Sequence, residues 1–148
     1  MAVNLARRIP DGATVLVDTN PLVYLFEGHK LLERFAPIFA DIDAGRIQAL
    51  VTPITLAEVV SGPLRAGKEA LAARYRQILT SSSGWSLREL DADIAMLAAR
   101  LRISHRLKLP DAIQLATAIH ESCAALVTHD RDFSGVTDIP VLGMDRTR

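Results

Sequence analysis

Four carboxylates stand where alternating strands and helices would gather them. Asp18 closes a short β-branched run, Thr14-Val-Leu-Val17, and Asp130 comes just after a second apolar run, Ala125 to Thr128. Glu58 falls about one turn into the helix expected after a strand at Ile47–Thr52. Asp111 is the second residue of a helix opened by Pro110. Parallel sheets place ligand sites outside the carboxyl ends of their strands, so the four acids are expected to converge on one edge. Unneutralised, they would repel and raise one another's pKa. A divalent cation removes that conflict. The donor set is all oxygen, which selects Mg2+ or Mn2+ over zinc, and no Cys/His cluster competes. Asp18, Glu58, Asp111 and Asp130 are therefore the candidate metal ligands and catalytic acids.

Each acid also has a simpler explanation. Asp18 can cap the helix that begins near Pro21. Thr55-Leu-Ala-Glu58 matches a capping box, in which the glutamate reaches back to the N-cap amide. Asp111 favourably meets a helix dipole, and Asp130 can form an Asx-turn. Four coincidences at one edge weigh against these explanations taken together.

The elements that must position the acids follow from periodicity. Strands are expected at Thr14–Val17, Ile47–Thr52, Trp85–Leu90, Ala125–Thr128 and Ile139–Leu142. Helices are expected from Asp18 to Gly28, His29 to Ala44, Pro53 to Val60, Ala66 to Leu79, Asp91 to Leu107 and Pro110 to Ser122. Ser61-Gly-Pro63 reads as a helix break and Ser81–Gly84 as a loop. Short apolar strands alternating with helices give an α/β fold, a parallel sheet covered on both faces. With 148 residues and no linker, repeat or low-complexity stretch, residues 1–148 read as one domain.

Composition narrows the function classes. Apolar residues make up 49% and charged residues 23%, an ordinary globular balance that excludes disorder. No apolar run approaches a membrane span of about 18 residues. The first ten residues lack the apolar stretch of a signal peptide. The single cysteine, Cys123, excludes an internal disulfide and suits a reducing cytoplasm. It reads as a small buried hydrophobe. Seventeen basic residues balance seventeen acidic ones, which argues against coating nucleic acid by bulk charge. The balance conceals a pattern. Residues 63–110 carry nine Lys/Arg against four Asp/Glu, whereas both flanking segments are net acidic. Arg65, Lys68, Arg74, Arg76, Arg106 and Lys108 are candidate phosphate contacts from that basic middle. Two solvated helix faces explain them equally well.

The motifs resemble a known family. Val15-Leu-Val-Asp-Thr-Asn-Pro-Leu-Val-Tyr-Leu-Phe26 is similar to the opening motif of PIN-domain proteins. Thr55-Leu-Ala-Glu58 with Val59 resembles their second motif, and Leu109-Pro-Asp-Ala-Ile-Gln-Leu-Ala-Thr-Ala118 their third. Leu126-Val-Thr-His-Asp-Arg-Asp-Phe133 resembles the fourth. Order, spacing and length most resemble a VapC-type toxin of a type II toxin–antitoxin pair. The resemblance implies a PIN-like three-layer fold with a central parallel sheet of about five strands. It implies an Mg2+- or Mn2+-dependent endoribonuclease acting on RNA, homodimeric and silenced by a cognate antitoxin. On this pattern Asp18, Glu58, Asp111 and Asp130 are the metal-site acids. Thr128 helps hold the first acid, and Thr19 and Asn20 are local supports. Asp132 is expected to support Asp130, or to share or replace its role. One departure stands in the fourth motif: His129 occupies a position where Asn is common, and is expected to be a neutral, outward neighbour because Mg2+ prefers oxygen.

Other residues point to packing. Trp85 and Tyr24 read as core or edge side chains. Tyr75, between Arg74 and Arg76, can alternatively face RNA. His29, His105 and His120 read as structural or exposed. Leu22, Val23, Phe26, Leu31, Phe35 and Phe39 form either core or an apolar face for a partner. Two other functions compete. One is a catalytically silent PIN-fold binding or regulatory module. The other is an aspartyl-phosphate phosphohydrolase with Asp18 as nucleophile, which wants a second Asp where Asn20 stands.

Overall fold

A computed structural model describes residues 4–144. After a short 3-10 turn at Leu5–Arg8, the chain alternates strands and helices. The strands are β1 (Thr14–Val17), β2 (Gln48–Val51), β3 (Trp85–Leu87), β4 (Ala125–Val127) and β5 (Val141–Leu142). The helices are α1 (Thr19–Glu27), α2 (Leu32–Asp43), α3 (Pro53–Arg65), α4 (Glu69–Ser81), α5 (Ala92–His105) and α6 (Leu109–His120). All strand pairs are parallel, in the order β3-β2-β1-β4-β5. The central strand β1 pairs Leu16 with Leu50 on one side and with Leu126 on the other.

Strand alternation builds two cores, because successive side chains point to opposite faces. Val15 and Val17 join Ala49, Val51, Ala125 and Val127 against Leu22 of α1, Phe35, Ile38 and Ile42 of α2 and Leu79 of α4. Leu16, Leu50 and Leu126 face the other way, against Ile94, Ala98 and Leu101 of α5, Leu115 of α6 and Phe133. A sheet with helices on both faces gives the expected three layers. Among the described residues no helix is long and apolar enough to cross a membrane.

Several boundaries differ from expectation. Gly28 takes a left-handed turn (φ 65°) after α1, and the Leu31 amide donates to His29 Nδ1, so α2 starts at Leu32 rather than His29. Helix α3 runs through Ser61-Gly-Pro63 to Arg65 instead of breaking there. A proline inside a helix costs about 3 kcal/mol and one hydrogen bond. Packing of α3 against α1, α4 and α6 outweighs that local cost. The Ser61 hydroxyl donates to the Ala57 carbonyl, 2.6 Å away, within the helix. Helix α4 begins three residues later than expected, at Glu69, and takes in Ser81. Strand β3 stops at Leu87, where Arg88 turns to pair with Asp91 and Glu121.

The last strand is followed by Gly143, whose φ of 114° excludes other residues without strain. A Cβ at this position would strike the Phe35 ring and the Thr128 carbonyl. Gly143 thus lets β5 close over Thr128, beside the candidate acids.

Candidate active site at the carboxyl edge of the sheet

Asp18 follows β1 directly and occupies the N-cap position of α1, yet its side chain makes no capping bond. It turns inward. Oδ1 accepts from Gln114 Nε2 at 3.1 Å, and Oδ2 accepts from Thr128 Oγ1 at 2.7 Å. Its residue exposure is only 5%. Burial pushes the Asp18 carboxyl above its ordinary range, the two side-chain donors pull it back, and Asp130 adds a further rise.

The Thr128 hydroxyl does double service: it donates to Asp18 and accepts from the Asp130 amide at 3.0 Å. Asp130 Oδ1 then accepts the Asp132 amide at 2.9 Å, capping a 3-10 turn at Arg131–Phe133. The Asx-turn explanation of Asp130 is therefore satisfied, and it aims the loop rather than emptying it of chemistry. Asp111, Asp130 and Asp132 each offer an oxygen within 4.8 Å of the others. Two unit charges at that separation repel by about 3.5 kcal/mol at an effective dielectric of 20.

Asp111 is the third residue of α6, because the helix opens at Leu109, one residue earlier than expected. Its carboxyl is pushed up to about 7, first by burial, then by Asp130, Asp18, Asp132 and Glu58. The helix-dipole explanation predicts a shift the other way, so repulsion and desolvation win. Four other acids thus bear on Asp111 at this edge.

Glu58 is not a capping-box residue. Thr52 is the N-cap of α3, its hydroxyl accepting from the Thr55 amide at 3.3 Å. Glu58 therefore lies six residues into the helix, too far to reach back. Its Oε1 accepts instead from Thr19 Oγ1 at 2.6 Å, which links it to the residue beside Asp18. Asn20 is exposed and makes no side-chain hydrogen bond to these acids among the described residues.

The donor set fits a hard divalent cation. Every candidate ligand atom is a carboxylate oxygen, and a cation between the closely spaced acids would offset their repulsion. His129 does not compete: Tyr24 Oη lies 2.7 Å from its Nδ1, and the ring packs edge-on to Phe35. It is half-buried rather than outward, because Tyr24 and Phe35 enclose it. Cys123 is buried in the α5/α6 core, with its thiol pushed up to about 12 by burial.

The basic residues remain on the surface. Arg65, Lys68, Arg74 and Arg76 are exposed at the end of α3 and along α4. Arg106 and Lys108 are exposed between α5 and α6, with Lys108 at the N-cap of the helix that carries Asp111. Tyr75 does not face outward with its arginine neighbours: it stacks on Phe26 at 4.3 Å against the core. Trp85 stacks on Phe39, as a packing residue should. Leu22, Phe35 and Phe39 are core, while Val23 and Phe26 pack at its margin.

One residue had no expected part. Gln114, only 1% exposed, donates to Asp18 and to Thr55 Oγ1, and accepts from the Thr52 hydroxyl. The available signal was a lone amide within the apolar stretch Ala112–Ala118.

Comparison with known proteins agrees with this geometry. The PIN domain profile matches residues 15–139. The chain belongs to the PIN domain family. A chain of a toxin–antitoxin complex from Klebsiella pneumoniae is 32% identical, with a TM-score of 0.68 over 87% of this PIN protein and 96% of that chain. VapBC2 from Rickettsia felis, bound to a DNA fragment from its promoter, has a TM-score of 0.70 at 18% identity, covering 89% and 99%. VapC20 of Mycobacterium tuberculosis, a sarcin–ricin loop cleaving toxin, has a TM-score of 0.64 at 18% identity, covering 85% and 98%. The latter two likenesses show the shared fold. No curated protein matches by sequence.

Proposed function

We propose that this PIN protein is a divalent-metal-dependent endoribonuclease and the toxin of a toxin–antitoxin pair. The observation that carries the reading is the gathering of Asp18, Glu58, Asp111, Asp130 and Asp132 at one edge of the sheet, where the other four raise the pKa of Asp111. Mg2+ or Mn2+ would be held by Asp111 and Asp130 with Asp18, Glu58 and Asp132 around them. When bound, such a cation supplies Lewis-acid activation of water and neutralises charge at a phosphate. Asp18 is locked by two donors and so serves orientation, not proton transfer. Arg106 and Lys108, exposed just before α6, would meet the RNA backbone, with Arg65, Lys68, Arg74 and Arg76 as a second basic stretch.

The 32% identical chain from a toxin–antitoxin complex supports an antitoxin as partner. A homodimer is supported by the outward face of α5. Met96 is 57% and Ile103 80% exposed there, with Ala99 between them at helical spacing. Asp93 lies near the amino end of α5 and Arg100 and Arg102 in its carboxyl half, so antiparallel pairing of two copies sets opposite charges together.

Expression of the chain without a partner, followed by mapping of new RNA ends, tests the reading. Water attack leaves a phosphate on one side and a free hydroxyl on the other. Growth arrest with such ends, absent for Asp130→Asn, is expected. Ends bearing 2′,3′-cyclic phosphate would refute metal-assisted hydrolysis. Arrest without cleavage would favour a silent binding module.

A further inference from the structure

Gln114 joins three elements through one buried amide. Nε2 donates to Asp18 Oδ1 at 3.1 Å and to Thr55 Oγ1 at 2.7 Å, while Oε1 accepts from Thr52 Oγ1. Asp18 follows β1 directly, Thr52 caps α3 and Thr55 lies in its first turn, and Gln114 itself belongs to α6. Turning the amide round would set its carbonyl against the Asp18 carboxylate, so its orientation is fixed by charge. Asp111 lies three residues before Gln114 on the same helix, and Glu58 lies on the helix that Thr52 caps. The amide therefore governs both the direction of Asp18 and the spacing of the two helices that deliver the other acids.

Packing alone does not call for glutamine here. Its helix neighbours Ala112, Ile113, Leu115, Ala116 and Ala118 are all buried and apolar. An apolar side chain of similar shape would fill the site, and the Thr52 and Thr55 hydroxyls lie 3.4 Å apart, able to satisfy each other. What an apolar residue could not do is hold Asp18.

We infer that Gln114 is a positioning residue that orients the Asp18 carboxylate, and the α3/α6 spacing, for cation binding. The inference rests on the reading of this edge as a divalent-cation centre. Residues that orient metal ligands typically contribute about 10–100-fold in metal affinity or activity.

Calorimetric titration with Mn2+, without RNA, compares wild type with Gln114→Met, which keeps length and volume but cannot donate. Gln114→Asn keeps an amide one methylene short and carries the same test if the methionine variant does not fold. The expected result is Mn2+ binding weakened about 10–100-fold in both variants. RNA cleavage should then be regained at raised Mn2+ with an unchanged KM for RNA. A general structural defect would lower cleavage at every Mn2+ concentration. Variants that bind Mn2+ as tightly as wild type would overturn the positioning role alone. A wild-type protein that binds no Mn2+ would overturn the cation reading of the whole edge, and Gln114's part with it.

Discussion

Replacing Asp111 with Asn should stabilise the metal-free protein at alkaline pH while abolishing its catalysis. The carboxyl rises from 3.8 to about 7 in the folded state, so between those values the folded chain holds a proton that the unfolded chain has released. Stability therefore falls as pH rises from about 4 to about 7, and stays low above that. In a fully buried site the rise would correspond to about 4 kcal/mol. Asp111 is only half-buried, and solvent screening leaves roughly 1–2 kcal/mol. Asparagine also loses a favourable charge in the first turn of α6, worth about 0.3–1 kcal/mol. The net gain for Asp111→Asn near pH 8 is thus about 1 kcal/mol, or about 2–4 °C in Tm for a domain of this size. Thermal melts in EDTA at about pH 4 and about pH 8 are the assay. The gap between variant and wild type should open as pH rises, and added Mn2+ should raise the Tm of wild type more than that of the variant. A variant equal to or less stable than wild type near pH 8 would refute the repulsion argued for this cluster.

Three further outcomes are expected. Thr128→Val should cost about 1–3 kcal/mol by urea unfolding and most of the RNA cleavage, because buried Asp18 loses a donor and the Asp130 amide loses its acceptor. Gly143→Ala should lower stability by about 3 kcal/mol or more, measured by thermal melting, since backbone strain adds to a clash with Phe35 and the Thr128 carbonyl. Ile103→Glu should convert a dimer to a monomer in sedimentation while leaving the fold unchanged by circular dichroism, because Ile103 is 80% exposed and absent from the core.

The sheet and its order of elements were readable because most strands are short apolar runs and most helices keep an apolar stripe. Asp18 and Asp130 were placed correctly relative to the sheet for the same reason: a residue immediately after a parallel strand has one edge to occupy. Helix α3 was misread because the local cost of Gly62 and Pro63 is visible in sequence, whereas the packing that outweighs it is not. Glu58 carried a false capping-box signal, since the true cap, Thr52, lies three residues before Thr55 and takes the Thr55 amide. His129 was misplaced because its partners Tyr24 and Phe35 lie about a hundred residues away in the chain. Gln114 gives little signal in the sequence for a related reason. An amide in an apolar helix announces only that it needs partners, and Asp18, Thr52 and Thr55 meet it only once three elements are packed.

The most direct measurement of the central claim is cleavage of an RNA substrate by the purified chain, followed as Mg2+ or Mn2+ is titrated in and then removed with EDTA. Saturable, EDTA-reversible cleavage that vanishes in Asp18→Asn and Asp111→Asn is the predicted result. Cleavage that persists undiminished in EDTA or in either variant would contradict it.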